Sequence, residues 1–408
     1  MNVRPIFASL RKHRIPALLI VLEIAVACAV LCNAVYIVKN NVSDIHLSNA
    51  IDEQGLSIVT LSGNDPSKAS ADTARNLAAL REIPGVKAAA VTNSMPLDSN
   101  GYNDNYGPVP DLAAADKRNV PGEYYFLGEG AAQALGLRLL QGRAFNASDY
   151  DDGELGPSQE SAGHVVIITE SFARRIWPGQ SALGKVLYSS KRWYVVVGLV
   201  ADVLCPDDGA RNHGDKGFYF SLFFPLKPNS WMNDYVLRSD PRDRVRVMRE
   251  AQQKLLVLNP DTIAKGTIYT DMRDQYFADA ASMVWIMVLV CAVMLAVTAF
   301  GIVGLTSFWV QQRRRQIGIR RALGATRRQI LAYFRTENFM LTTTGILIGT
   351  GLTLAINIYL IRHYEMRLMP WYYLAGSAIV LWLLGQIAVL GPALRAAAVP
   401  PVVATRSV

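Results

Sequence analysis

Apolar positions along this chain follow two regimes. In residues 15–38, 283–310, 339–361 and 374–394 they run almost unbroken. Each run is long enough, at about 1.5 Å of rise per helical residue, to cross a hydrocarbon core of about 30 Å. Between the first and second runs the periods shorten. Residues 55–61, 86–91, 124–127, 165–169 and 193–203 read as strands. Residues 72–83 read as an amphipathic helix, with Ala74, Leu77, Leu80 and Ile83 on one face and Pro84-Gly85 as its stop; 130–135 and 170–177 read as further helices. Asp240-Pro241, followed by Asp243, reads as an N-cap with proline at the first helical position, and Val245, Met248 and Leu255 read as the buried seam of the helix that follows. The pattern predicts four transmembrane α-helices plus a large α+β extracytoplasmic domain inserted between helices 1 and 2. That domain covers 39–282, as one core or as two lobes, with polar loops at 98–118, 146–164 and 205–217.

Charge sets the sidedness. Residues 41–280 carry 24 Lys and Arg against 30 Asp and Glu, a net −6, while the remaining residues carry 17 against 3, a net +14. Seven arginines fall between 313 and 328 with no acid among them. Arg4, Arg11, Lys12 and Arg14 precede the first run, so the positive-inside rule places residues 1–14, the 311–338 segment and the 395–408 end in the cytoplasm. The acidic middle and a short loop, 362–373, then lie outside. Trp285 and Trp309 bracket the second run, while Tyr36, Tyr359, Tyr364 and Trp371-Tyr372-Tyr373 fall at the outer interface, as an aromatic belt requires. The first run is too long for a signal-peptide core and no small-residue cleavage site follows it, so it reads as a retained anchor.

Within the spans, Glu23 is a candidate intramembrane polar site; an interhelical hydrogen bond, protonation or snorkelling explains it without a functional role. Gly345 and Gly349 stand at the small-xxx-small spacing that lets helices approach closely. Catalytic chemistry finds little support. Cys28, Cys32 and Cys291 lie in spans, which leaves Cys205 alone in the outer domain and rules out an internal disulfide there. Gly179-x-x-x-x-Gly184-Lys185 has Val186 where a phosphate-binding loop needs Ser or Thr, and it follows a helix rather than a strand. The five histidines never reach metal-ligand spacing. The expectation is a chain with no catalytic residues, cofactor or metal of its own and no nucleic-acid partner.

On the cytoplasmic side Gly318 and Gly324 bracket a short apolar and basic piece, and Thr326-x-x-Gln329 forms a capping box that starts a helix carrying Ile330, Leu331, Phe334 and Phe339. Such a piece suits either a groove on another protein or the anionic headgroups of membrane lipids; the residues alone leave both open.

The run Arg314-Arg315-Gln316-Ile317-Gly318-Ile319-Arg320-Arg321-Ala322-Leu323-Gly324-Ala325 resembles the cytoplasmic signature of FtsX-like permeases, the membrane subunits of MacB-type ABC transporters. Pro401-Val402-Val403-Ala404-Thr405-Arg406 resembles their C-terminal ending. Leu135-Gly136-Leu137 through Gly142-Arg143-Ala144-Phe145, the 165–177 segment, Leu183-Gly184-Lys185 and Val197-Gly198-Leu199-Val200 resemble the MacB-like periplasmic core domain. One departure is Gln316, where the family usually has Glu. The resemblance implies a dimeric permease, formed with a second copy or a related subunit, in a bacterial inner membrane. ATP and magnesium would bind a separate ABC-type ATPase. Ile317, Gly318, Ile319, Arg320, Arg321, Ala322, Leu323 and Gly324 would be the ATPase-coupling contact, and a stalk near 272–283 would extend the second span outward. Efflux of a drug or peptide through a periplasmic adaptor and outer-membrane channel is the activity implied; a transmembrane regulator of a cell-wall hydrolase, or a lipoprotein-release permease, is the alternative.

Overall fold

A computed structural model describes residues 14–110, 119–150, 165–189, 192–206, 217–364 and 369–398. Arg4, Arg11, Lys12 and the 401–406 ending therefore lie outside the described residues. The chain divides into two compact units, one of Met1–His46 with Ala280–Val408 and one of Leu47–Asp279.

The first unit opens with α1 (Arg14–Ile45), a helix of 32 residues that outruns its apolar run because the polar turns at its ends continue the same hydrogen-bond ladder. The Leu47–Asp279 unit is built on one sheet. Its strands are β1 (Leu56–Ser62), β2 (Ala88–Thr92), β3 (Asn103–Tyr106), β4 (Val120–Leu127), β5 (Leu139–Gly142), β6 (Val165–Thr169), β7 (Val186–Ser189), β8 (Arg192–Val200), β9 (Ser221–Pro225), β10 (Asp234–Arg238) and β11 (Ile263–Ile268). They run in the order β11-β1-β10-β2-β4-β9-β6-β8-β5, with β3 on β4 and β7 on β8. Among the described pairs, β4 with β9 and β6 with β8 are parallel and the rest antiparallel.

Alternation along the strands assigns the two faces. Val59, Leu61, Tyr235 and Leu237 bury one face under α2 (Ala69–Arg81) and α5 (Arg244–Leu258), meeting Leu77, Leu80, Ala251 and Leu255. Their neighbours Ile58 and Val236 turn the other way, to Tyr125, Leu127 and the short α3 (Ala131–Leu135). Around β6 and β8 a further core gathers on α4 (Glu170–Ile176), through Phe172 and Ile176.

Two expectations need correction. The seam of α5 is Val247, Ala251 and Leu255, whereas Val245 is exposed. Val247, Ala251 and Leu255 recur at a spacing of four and so share one face; Asp240 caps a turn by accepting from the Arg242 N–H, and the helix begins only at Arg244. The stalk is also not one helix. The helix α6 (Tyr269–Tyr276) stops at Phe277, and α7 (Ala278–Gln312) starts after it. Phe277 is buried, with the Arg273 guanidinium 5.7 Å from its ring centre, and Arg273 is itself tied to Glu53 at 2.6 Å. The loop expected at 98–118 contains β3, which is held by pairing with β4, and β5, β7, β9, β10 and β11 are strands that the sequence pattern does not predict.

The remaining helices are α8 (Arg314–Ala322), α9 (Arg327–Tyr364) and α10 (Trp371–Ala397). Among the described residues, α1, α7, α9 and α10 are the four helices long and apolar enough to cross a membrane. Inside the helical unit α9 lies against α1 through glycine. A Cβ on Gly345 would stand 2.7 Å from Ile24 Cβ, and one on Gly349 would stand 2.6 Å from both the Ala25 carbonyl oxygen and Cys28 Cβ. At the other end of this bundle Tyr36 meets Tyr373 edge to face, with ring centres 5.4 Å apart. α7 behaves differently. Only Thr298, Ile302, Thr306 and Trp309 of its 35 residues are buried, a single stripe at helical spacing, with Cys291, Met294, Leu295 and Leu305 partly buried beside it and the opposite face exposed.

The close α1–α9 approach makes a direct prediction. Gly349→Leu forces atoms into the backbone of α1 and is expected to destabilise the helical unit by about 1 to 3 kcal/mol, read as a lower unfolding midpoint in detergent. Gly351→Leu, at a position with open space around its Cβ, serves as the control with little change.

Candidate functional site

The glycine-bracketed segment forms a helix held on one side and bare on the other. α7 ends at Gln312, Arg313 leaves helical geometry with φ −100° and ψ 9°, and α8 follows at once. α8 ends in a Schellman motif. Gly324 sits at φ +95°, its N–H donates to the Arg321 carbonyl, and the Ala325 N–H donates to the Arg320 carbonyl. Only glycine takes that left-handed position without strain, which fixes the turn into the next element. The expected capping box is in place there: Gln329 N–H donates to Thr326 Oγ1 at 3.3 Å, and Thr326 N–H donates to Gln329 Oε1 at 2.9 Å.

Ile317 is 6% exposed and packs with Ile330, Phe334, Ala393, Ala396 and Ala397, at the start of α9 and the end of α10. Gly318 is buried beside it. Of the eight residues expected to form one contact, these two face the chain's own core. Ile319 is 47% exposed and Leu323 83%, with Arg320, Ala322 and Gly324 also exposed and Arg321 partly so. The Arg320 guanidinium lies 5.3 Å from the Tyr333 ring centre, which holds the charge beside the apolar tip. The geometry is that of a short amphipathic helix with an apolar and basic surface turned outward.

Sequence reasoning missed the pair that anchors this helix. Arg313 Nη1 donates to both carboxylate oxygens of Glu337 at 3.1 Å, with the two side chains 9% and 2% exposed. The same guanidinium stands 5.5 Å from the Trp309 ring centre. A signal was available: Glu337 is one of only three acids outside residues 41–280. Glu23 lies against α7, where a Cβ on Gly301 would collide with its carboxylate. Gly301 is thus the notch that admits this side chain.

The Leu47–Asp279 unit holds a cavity of about 380 Å³ lined by Thr60, Asp98, Asp234, Lys265 and Tyr276, among others. Asp234 is 3% exposed and accepts from Thr60 Oγ1 at 2.6 Å. Burial pushes its carboxyl up to about 7, reinforced by the nearby Asp98 charge and opposed by the Thr60 hydrogen bond. Burial likewise pushes Asp98 up to about 6, while Lys265 favours its ionised form. Leu97 and Ser99, on either side of Asp98, both have positive φ, at 65° and 59°. No group of three or more His, Cys, Asp or Glu arranged to hold a metal occurs among the described residues.

Four helices long and apolar enough to span a membrane, with a large sheet-based unit inserted after the first and a short amphipathic helix after the second, define a multi-pass membrane protein with an inserted domain. The sequence places it further. Residues 18–261 match the MacB-like periplasmic core domain and 288–401 match the FtsX-like permease C-terminal region, so the chain belongs to the MacB-type permease family. It is 24% identical over 277 residues to the macrolide export ATP-binding/permease protein MacB of Neisseria gonorrhoeae, an alignment covering 67% of this chain and 40% of the relative. It is 25% identical over 287 residues to the ABC transporter permease YknZ of Bacillus subtilis, covering 69% of this chain and 68% of that one. The chain therefore spans about 40% of the length of the MacB relatives it matches. The crystal structure of the periplasmic region of MacB from Actinobacillus actinomycetemcomitans aligns over 55% of this chain and 94% of its own, at 14% identity and a TM-score of 0.36.

The raised carboxyl groups predict a pH dependence with a defined sign. A carboxyl whose folded value is raised contributes stability that is full below about pH 4, the unfolded value, and is lost as pH rises through the folded value. For Asp234 the window ends near 7. Asp234→Asn, which keeps an acceptor for Thr60, is expected to raise the thermal midpoint of the outer unit more at pH 8 than at pH 5. The gain is bounded at roughly 4 kcal/mol. Equal shifts at both pH values would show that Asp234 does not titrate in this range.

Proposed function

We propose that this chain is the permease subunit of an ABC transporter and couples ATP hydrolysis on a separate ATPase subunit to motion of its outer domain. The observation that carries this reading is the outward face of α8, with Leu323 83% exposed on a helix whose other side is anchored by Ile317. An exposed apolar side chain flanked by arginines suits a groove that is apolar at its floor and acidic at its rim. Coupling follows if that groove changes shape with the nucleotide, because a partner that binds two states equally shifts neither. ATP and magnesium belong to the ATPase subunit, and this chain supplies no catalytic group.

The sidedness follows from the charge count: the arginine run and both termini are cytoplasmic, and the outer domain lies in the periplasm of a bacterial inner membrane. The sparsely buried α7 supports a dimer, with a second copy or a related permease covering part of that surface. Efflux of a drug, peptide or similar cargo, with a periplasmic adaptor and an outer-membrane channel, is the activity that fits best. Macrolide export by the MacB relatives supports it, and the absence of a continuous polar path through the apolar runs favours cargo moved outside the bilayer.

Leu323→Asp tests the contact. Placing a charge at the exposed tip is expected to abolish co-purification of the ATPase, or its stimulation by the permease, by at least about tenfold, the effect of 1.4 kcal/mol. Insertion in the membrane and the unfolding midpoint should stay as in the parent, because Leu323 contributes nothing to the core. An ATPase that binds and is stimulated as before sinks the assignment of this face.

A further inference from the structure

The second span packs on the helical unit through a narrow stripe and carries a buried ion pair just beyond its end. Its buried stripe is four side chains, while at its cytoplasmic-type end a complete ion pair is buried between Arg313 and Glu337. Arg313 is also the single residue between α7 and α8, so the backbone changes direction where the side chain is fixed. Resting on the coupling reading above, we propose that the Arg313–Glu337 pair is the pivot about which α7 turns against α9, the push reaching it from α8 through the break at Arg313. Arg313 and Glu337 are then positioning residues: neither touches nucleotide or cargo.

Three features of the pair fit a joint that rotates. Both side chains are buried, so salt screens the attraction little and neither charge can let go without leaving an uncompensated partner behind. Only Nη1 of Arg313 contacts the carboxylate, and Nη2 is buried without a partner. A turn of the guanidinium exchanges one amino group for the other and keeps the charge contact throughout, which a lysine ammonium on a flexible stem would not guide. The Trp309 ring 5.5 Å away backs the guanidinium, and its Nε1 has no hydrogen-bond partner either. On α9, Asn338 Nδ2 and Thr342 Oγ1 are buried and unpartnered, facing Gly385 of α10. The buried surface around Glu337 therefore holds spare hydrogen-bonding capacity, which a second angular position can use.

The consequence for coupling is directional. A push on the exposed face of α8 cannot slide that helix along the membrane surface while Arg313 is pinned to Glu337, so it turns α7 as a lever.

The test uses the full chain, purified with the ATPase that accompanies it and reconstituted in lipid nanodiscs. Spin labels are attached at Leu289→Cys on α7 and Leu347→Cys on α9, both exposed, in a Cys291→Ser background; the other cysteines are buried. Electron–electron distance distributions are recorded without nucleotide and with vanadate-trapped ATP. The parent is expected to give a distribution that shifts on trapping. Glu337→Gln is expected to broaden it and lose the shift, while the ATPase still co-purifies and hydrolyses ATP. The exchanged pair, Arg313→Glu with Glu337→Arg, is expected to regain the shift, and this separates a pivot from a merely structural contact. A full parental shift in Glu337→Gln overturns the pivot. An exchanged pair with a parental unfolding midpoint but no shift also overturns it. A parent that binds the ATPase yet shows no shift overturns the coupling reading itself, and the pivot with it.

Discussion

A peptide group in hydrocarbon has no water to bond, so every N–H and C=O of a spanning segment must find its partner within the segment. That constraint organises this chain. It turns the four apolar runs into helices of 27 to 38 residues, and it expels charge to their ends. The arginine run, the Schellman turn at Gly324 and the capping box at Thr326 all sit where a helix leaves the apolar zone and its last carbonyls and first N–H groups need new partners. The candidate functional site is thus built from helix termini. Its apolar tip is exposed because the anchoring residue, Ile317, takes the inner side of a helix too short to bury both.

Polar groups that remain in or near the helices are correspondingly informative. Cys32 Sγ lies 2.7 Å from Ser377 Oγ, and Thr298, Thr336 and Thr353 return their hydroxyls to carbonyls one turn back, all of which satisfies them at no cost to neighbouring helices. The Arg313–Glu337 pair is of another kind, because it spends two desolvated charges on one contact between separate helices. Such a pair is a weak source of stability and a strong source of geometry. Gly301, Gly345 and Gly349 play the complementary part by removing atoms where another helix or the Glu23 carboxylate must come close.

Much of this was legible in the sequence. The four spans, the inserted α+β domain and the capping box follow from period, length and local hydrogen-bonding chemistry, and those act within a few residues of each other. The 165–169 strand matches because four apolar β-branched residues and a threonine favour an extended conformation. Ser221–Pro225 is buried along its whole length, yet an apolar run of three residues suits either period and carries no strand signal of its own. The α5 seam differs because Val245, Val247, Met248 and Ala251 offer overlapping apolar rows, and only packing against the rest of the unit selects the row through Val247, Ala251 and Leu255.

What the sequence determined by itself, then, is everything set by local hydrogen bonding and by transfer between water and hydrocarbon: which segments span, where the positive charge collects, and where the amphipathic helix after the second span begins and ends. Tertiary structure alone decided which side of that helix is free. Ile317 and Ile319 look alike in the sequence, and Arg313 looks like the six other arginines of its run. One isoleucine is buried and one exposed because α9 and α10 cover one flank of the helix, and one arginine is distinct because Glu337, 24 residues away, arrives beside it. Contacts between distant segments depend on the path of the whole chain, and no local pattern encodes that path.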